Sequence, residues 1–170
     1  LSMGTHITVM YAGNHVQTGT PRQLYDKPCN SFLASFIGET NLIRGTYISC
    51  KDGIHKVKTG LGTLQAISHQ TKPQFTPNCE VNLSIRPESI KLRSRDQGHN
   101  EENCFTTVVD KSTYLGSSEL LSVRTQENQK LDIHLSSQIS SSSLGSSLLC
   151  SVSPSQVVIM PKDINLGSGT

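Results

Sequence analysis

Five cysteines and six histidines are the side chains of this 170-residue sequence best suited to hold a metal ion or to cycle between thiol and disulfide. The cysteines, Cys29, Cys50, Cys79, Cys104 and Cys150, are scattered and include no Cys-x-x-Cys pair. The histidines, at positions 6, 15, 55, 69, 99 and 134, include no His-x-x-x-His spacing. Zinc and redox sites normally declare themselves by such close pairs. The pattern instead reads as small buried or half-buried thiols in a reducing compartment, and the metal ligands are expected to be none. Phosphate chemistry lacks its parts too. A nucleotide cradle needs a glycine-rich loop ending in Gly-Lys-Ser/Thr, whose backbone N–H groups hold the phosphates while the lysine meets their charge. None of the 13 glycines is followed by lysine, and no apolar strand ends in Asp-Glu to hold magnesium. Catalytic and cofactor-binding residues are likewise expected to be none.

The charged residues worth attention flank a proline. Val81, Leu83 and Ile85 alternate with Asn82 and Ser84, the pattern of a strand with one buried face. Arg86-Pro87-Glu88 ends it, because proline cannot donate to an interior ladder. Arg86 and Glu88 have two readings. They could bond backbone groups freed by the proline and fix a corner of the fold, or they could face a neighbouring domain or subunit and transmit regulation. Tyr114 and Gly116 form a second candidate pair, where a strand ends and the chain must turn before Glu119. Glycine takes the positive φ such a turn asks for at no steric cost.

The elements that position these residues change character along the chain. His6–Met10 and His15–Thr18 read as a hairpin around Gly13-Asn14. Thr20-Pro21 with Gln23 three residues on is a helix start of capping-box type, and Pro28 ends that helix early. A second helix starts near Asn30, carries Phe32, Leu33, Phe36 and Ile37 on one face, and can close at Gly38. That stripe is expected to need a partner outside these two helices.

From Leu42 the period becomes alternating. Strands are expected at Leu42–Ile48, Ile54–Thr59, Leu64–Ile67, Val81–Ile85, Phe105–Leu115, Glu119–Thr125, Lys130–Leu135, Leu148–Val152 and Val157–Met160. Ser94–Asn103 and the serine-rich Ser136–Ser147 read as inserted surface loops. No apolar run approaches a membrane span, and a net charge of +2 is too mild to imply nucleic acid or an anionic membrane surface. The sequence starts at Leu1 inside a pattern, so it is read as a fragment of a longer protein.

Two stretches resemble a known family. His6-Ile7-Thr8-Val9-Met10, Gly13, Gln17, Gly19-Thr20-Pro21, Leu24-Tyr25, Pro28, Asn30, Phe32, Ala34 and Phe36-Ile37-Gly38-Glu39-Thr40-Asn41 resemble the end of the ATPase domain in the nucleotide-binding subunit of ABC importers. Thr5-His6 stands where that family carries Asp-Arg. Val81 to Ile90, Tyr114-Leu115-Gly116 and Val152 to Met160 resemble the TOBE domain that follows, a small OB-like barrel.

The resemblance implies a mainly β fold, an OB-like (TOBE) β-barrel preceded by a β-hairpin and two short helices. It divides the chain into an ATPase remnant at 1–40, a regulatory domain at 41–165 and a tail at 166–170. Gly38-Glu39-Thr40-Asn41 leans toward polyamine (spermidine/putrescine) importers. The implied role is a regulatory and dimerisation region, with ATP and magnesium bound only by the intact subunit. That subunit would be a homodimer joined to transmembrane permease subunits, cytoplasmic and peripheral on the inner face of the cell membrane.

Alternatives are a solute-sensing module of a sugar, iron or other anion importer, and an OB-type nucleic-acid binder. A polyamine sensor would want converging carboxylates, for which Asp110, Glu119 and Asp132 are available. A nucleic-acid binder needs aromatics along a basic groove, but Tyr11, Tyr25, Phe32 and Phe36 all precede residue 40. No nucleic-acid partner is therefore expected.

Overall fold

A computed structural model describes residues 5–67, 75–93, 103–136 and 143–162. Most of the expected insertion at Ser94–Asn103, half of that at Ser136–Ser147, part of the expected loop at Thr71–Asn78 and the tail at 166–170 lie outside the described residues.

The chain opens with a hairpin of β1 (Ile7–Tyr11) and β2 (Asn14–Gly19), followed by α1 (Pro21–Asp26) and α2 (Ser31–Ile37). The expected capping box is formed. Thr20 Oγ1 accepts from Gln23 N–H at 3.2 Å, and the Gln23 carboxamide accepts from Thr20 N–H at 2.9 Å. Asn30 caps α2 through Leu33 N–H at 2.9 Å. The apolar stripe finds part of its partner in the hairpin. Val9, Leu24 and Leu33 are buried together, with Ile7, Val16, Cys29, Phe32 and Ile37 packed on them. Phe36 remains 66% exposed.

Ten strands follow: β3 (Asn41–Lys51), β4 (Ile54–Thr59), β5 (Gly62–Ile67), β6 (Glu80–Ile85), β7 (Lys91–Arg93), β8 (Cys104–Tyr114), β9 (Ser118–Thr125), β10 (Lys130–Ser136), β11 (Ser147–Ser151) and β12 (Val157–Pro161). The fold is mainly β, as expected. The strands divide into two antiparallel five-stranded sheets, in the orders β12-β6-β3-β4-β5 and β10-β9-β8-β11-β7. The first curls until its outer strands β5 and β12 meet.

The two sheets repeat one plan. Each is built on an 11-residue first strand, β3 or β8, broken by a bulge at Tyr47/Ser49 or Val109/Lys111. A bulge bends and twists its strand, which is what a curled sheet requires. Each plan ends in a proline-led 3-10 turn, Pro87–Ser89 or Pro154–Gln156. Beyond its turn each chain segment crosses to the other sheet, so β7 pairs with β11 and β12 with β6. The register is the same on both sides of the crossing, making β6–β7 and β11–β12 one continuous ribbon. The two turns touch where Ser89 Oγ donates to Gln156 Oε1 at 3.0 Å.

A buried asparagine at the start of each plan stitches the sheets together. The Asn41 carboxamide donates to Asp132 O at 2.8 Å and accepts from Asp132 N–H at 2.7 Å, as a further strand would on β10. Asn103 does the same to Gln65 of β5, at 2.8 Å and 2.5 Å. One core joins the sheets, with Ile43, Val57, Leu83, Ile85, Leu121, Val123 and Ile133 fully buried in it. Gly45 permits the close approach of β3 and β4: a Cβ there would stand 2.5 Å from Val57 Cγ1 and 2.8 Å from Lys58 O.

Candidate regulatory junction

The helical segment meets the barrel at the first crossing turn, and Arg86 makes most of the contact. Its side chain leaves the end of β6 as the chain enters Pro87–Ser89, and it is 7% exposed. Nη1 donates to Ala34 O at 3.0 Å, Gly38 O at 3.1 Å and Glu39 O at 2.9 Å. Nη2 donates to Tyr25 O at 2.9 Å.

These acceptors lie in the last turns of α1 and α2 and just past the end of α2, where helix carbonyls lack intrahelical donors. Neither helix has a basic residue of its own in its last turn. Gly38 closes α2 as expected, with its backbone extended at φ 176. The guanidinium therefore caps both helices from outside, at the negative end of each helix dipole.

The rest of the junction is arranged around that cation. The Arg86 Cζ lies 4.0 Å from the centre of the Tyr25 ring, a cation–π contact. The Tyr25 hydroxyl donates to Glu88 Oε1 at 2.6 Å, across the proline turn. Burial first, and then this bond to Glu88, pushes the Tyr25 phenol up to about 12. Burial lowers the Arg86 guanidinium from its ordinary value, an effect opposed by Tyr25 and Glu88. Gly38 lets the tyrosine in, because a Cβ there would stand 3.0 Å from Tyr25 Cε2.

Two further bonds flank the cation. Asn82 Nδ2 donates to Ser31 Oγ at 2.9 Å, and the Thr40 and Ser84 hydroxyls lie 2.7 Å apart. A cavity of about 420 Å³ beside the junction is lined by Arg22, Tyr25, Asp26, Arg86, Glu88 and Gln156, among others. The arrangement ties two short helices to a turn where the chain changes sheets.

Of the residues singled out in the sequence, the structure brings Arg86 and Glu88 together here. Arg86 does bond backbone carbonyls, but those of the helices rather than of its own corner. Tyr114 and Gly116 sit elsewhere, at the tip of the β8–β9 hairpin. Tyr114 is 73% exposed, and Gly116 has φ +86 in a turn closed by Leu115 N–H donating to Ser118 O at 2.8 Å.

The three carboxylates do not converge. Asp110 is paired with Arg124 at 2.8 Å, and Asp132 accepts from Ser122 Oγ at 2.7 Å. Glu119 points to the buried face of β9 and accepts from Ser112 Oγ. Sequence reasoning passed over Tyr25, Asn41 and Asn103 as functional groups. The available signal was two short helices with no basic residue in their last turns.

A curled β fold with proline-led crossings and a helical lead-in defines a class, and the comparisons supply it. The TOBE domain profile matches residues 83–159. The cytoplasmic molybdate-binding protein ModG, solved with molybdate bound, superposes with a TM-score of 0.64 at 16% identity, covering 72% of this chain and 96% of that one. That likeness concerns the fold.

Among curated proteins, the spermidine/putrescine import ATP-binding protein PotA of Thermotoga maritima is 31% identical over 137 residues, 79% of this chain and 36% of that protein. Its counterpart from Roseobacter denitrificans is 38% identical over 136 residues, 76% of this chain and 37% of that protein. The chain belongs to the family of these import ATP-binding proteins and carries their TOBE domain. It spans about a third of the length of these two relatives. Among the described residues no helix is long and apolar enough to cross a membrane.

Proposed function

We propose that this chain is the carboxy-terminal regulatory region of the ATP-binding subunit of an ABC importer for polyamines of the spermidine/putrescine class. The observation that supports this reading is the Arg86 junction, in a chain matching such proteins over most of its length. Residues 1–40 would be the end of the ATPase domain, 41–165 the regulatory domain and 166–170 a tail. A guanidinium that holds both helices at four carbonyl oxygens makes a change in the barrel felt by the ATPase end, and the reverse. Glu88 and the Tyr25 hydroxyl set the orientation of that clamp.

In this reading the chain itself neither binds nor hydrolyses ATP. Nucleotide and magnesium are held by the rest of the intact subunit, a homodimer seated on transmembrane permease subunits at the inner face of the cell membrane. Nucleic acid is not a partner. Tyr114 and Gly116, far from the junction, are proposed to shape the exposed hairpin rather than to transmit the signal.

The test uses the intact subunit assembled with its permeases in vesicles. Tyr25→Phe keeps the ring over Arg86 and deletes only the hydroxyl bonded to Glu88. The expected result is ATP turnover whose response to spermidine is altered while the assembly remains intact. Turnover and its spermidine response both unchanged would remove the junction from regulation.

A further inference from the structure

The β3–β4 hairpin holds a histidine that the junction does not use. His55 of β4 is 2% exposed. Its ring centre lies 5.7 Å from that of Tyr47 and 6.2 Å from that of Phe75, and those two rings are 5.5 Å apart. Nε2 meets the Cys50 thiol across the ladder at 3.7 Å, and Nδ1 has no hydrogen-bond partner. The cluster pins a connecting segment. The ladder of β3 to β6 ends at Thr46, and beyond it residues 75–79 lie against β3 on their way into β6. Tyr47 N–H donates to Cys79 O at 2.9 Å, Asn78 N–H donates to Tyr47 O at 2.8 Å, and the Phe75 ring packs on Tyr47.

The second half of the fold shows that this position does not require a histidine. Val109 pairs with Val123 as Tyr47 pairs with Val57, and beyond each bulge Leu121 stands opposite Ser112 where His55 stands opposite Cys50. The matching segment is tied down in the same way, by Val109 N–H donating to Ser146 O at 3.0 Å and Gly145 N–H donating to Val109 O at 2.8 Å. Leu121 fills its place fully buried, with no polar atom to satisfy. The imidazole in the twin place strands a buried ring nitrogen, which calls for an explanation.

We infer that His55 is an acid-sensitive latch: proton uptake by its ring breaks the Tyr47–His55–Phe75 cluster and frees residues 75–79 from β3. An imidazolium carries N–H on both ring nitrogens and so needs two acceptors. The site offers the Cys50 sulfur at Nε2 and nothing at Nδ1. The titratable groups packed around the ring are the Tyr47 phenol and Cys50 thiol of β3 and the Cys79 thiol beside Tyr47, while β5 presents Ala66. Burial lowers the imidazole below its ordinary value of 6.5, and no carboxylate among the described residues opposes that shift. The released ring takes up its proton near 6.5, so the latch is closed above that pH and loosens as pH falls below it.

The experiment follows amide hydrogen exchange of the full chain by NMR at about pH 7.5 and about pH 5.5, corrected for intrinsic exchange. The Tyr47 and Asn78 amides report the latch, and the Leu83 amide reports the barrel core. On acidification, protection at Tyr47 and Asn78 should fall severalfold, up to about the tenfold that one pH unit below 6.5 allows, while Leu83 changes less. His55→Leu, which copies Leu121, and His55→Phe should each abolish that dependence, and His15→Gln, at an exposed histidine, should retain it. Circular dichroism checks that each variant is folded, and the ring titration of His55 in the wild type should lie below 6.5. Latch amides indifferent to pH, a dependence that survives in a folded His55 variant, a ring titrating at or above 6.5, or a loss shared equally by Leu83 would overturn the inference.

Discussion

Arg86→Met is the perturbation that reads the junction most sharply, because it keeps much of the side chain's bulk and removes the charged fork. Four carbonyl oxygens lose their donor: Tyr25 O, Ala34 O, Gly38 O and Glu39 O. The bond to Ala34 is fully buried, while the other three are partly buried and can be rehydrated. Leaving one buried acceptor dry costs about 1–3 kcal/mol, and each charged hydrogen bond lost contributes about 1.5–3 kcal/mol before water repays part of it. The cation–π contact with Tyr25 adds roughly 1 kcal/mol.

The expected loss is therefore about 3–5 kcal/mol, less than the sum of these contributions because water reaches the three partly buried carbonyls. That is a large part of the 5–15 kcal/mol typical of a domain. The assay is urea unfolding followed by far-ultraviolet circular dichroism, since the chain has no tryptophan. Arg86→Lys should recover only part of the loss, because one ammonium cannot span acceptors on both helices. A midpoint shift equivalent to less than about 1 kcal/mol for Arg86→Met would refute the reasoning.

Three further outcomes follow from the same structure. Gly45→Ala places a methyl group 2.5 Å from Val57 Cγ1 and 2.8 Å from a ladder carbonyl, and overpacking of this kind should cost about 1–3 kcal/mol or more in thermal unfolding. Asn41→Ala removes both bonds to Asp132 and should cost about 1–3 kcal/mol in urea unfolding, while Asn41→Asp, which buries a carboxylate and sets an oxygen against the Asp132 carbonyl, should cost at least as much. Tyr25 adds an alkaline dependence. Its folded pKa of about 12 lies above the ordinary value of 10.0, so its contribution is complete below pH 10 and is lost as pH rises toward 12. Stability measured across that window should fall more steeply for the wild type than for Tyr25→Phe.

The mainly β fold was legible because alternation in Ile43–Tyr47, Val81–Ile85 and Leu121–Leu135 writes the buried faces directly into the chain. Both helix starts were legible because Thr20 and Asn30 cap by purely local chemistry. The pairing of strands across two sheets was not legible, since the exchange of β7 and β12 depends on where two proline turns meet. Nothing near Ile85 or Val157 in sequence announces that they are neighbours.

The two halves share a plan that sequence reasoning missed, because strand length, bulge and proline turn repeat while most residue identities do not. Arg86 and Glu88 stood out as charges beside a proline at the end of a buried strand. Their partners could not be read, because Tyr25, Ala34 and Gly38 come from a segment roughly half a domain away along the chain. Asn41 and Asn103 look like ordinary strand-edge residues until their carboxamides are seen acting as strand backbone.

The central claim is that helices and barrel form one mechanical unit through Arg86. Native-state hydrogen exchange tests it most directly. The amides of Leu24 and Ala34, hydrogen-bonded inside α1 and α2, should open in the wild-type chain with a free energy matching that of Leu83 in the barrel core. In Arg86→Met they should exchange far faster while Leu83 stays protected. Wild-type helix amides that exchange independently of the barrel, or that are indifferent to the substitution, would contradict the account.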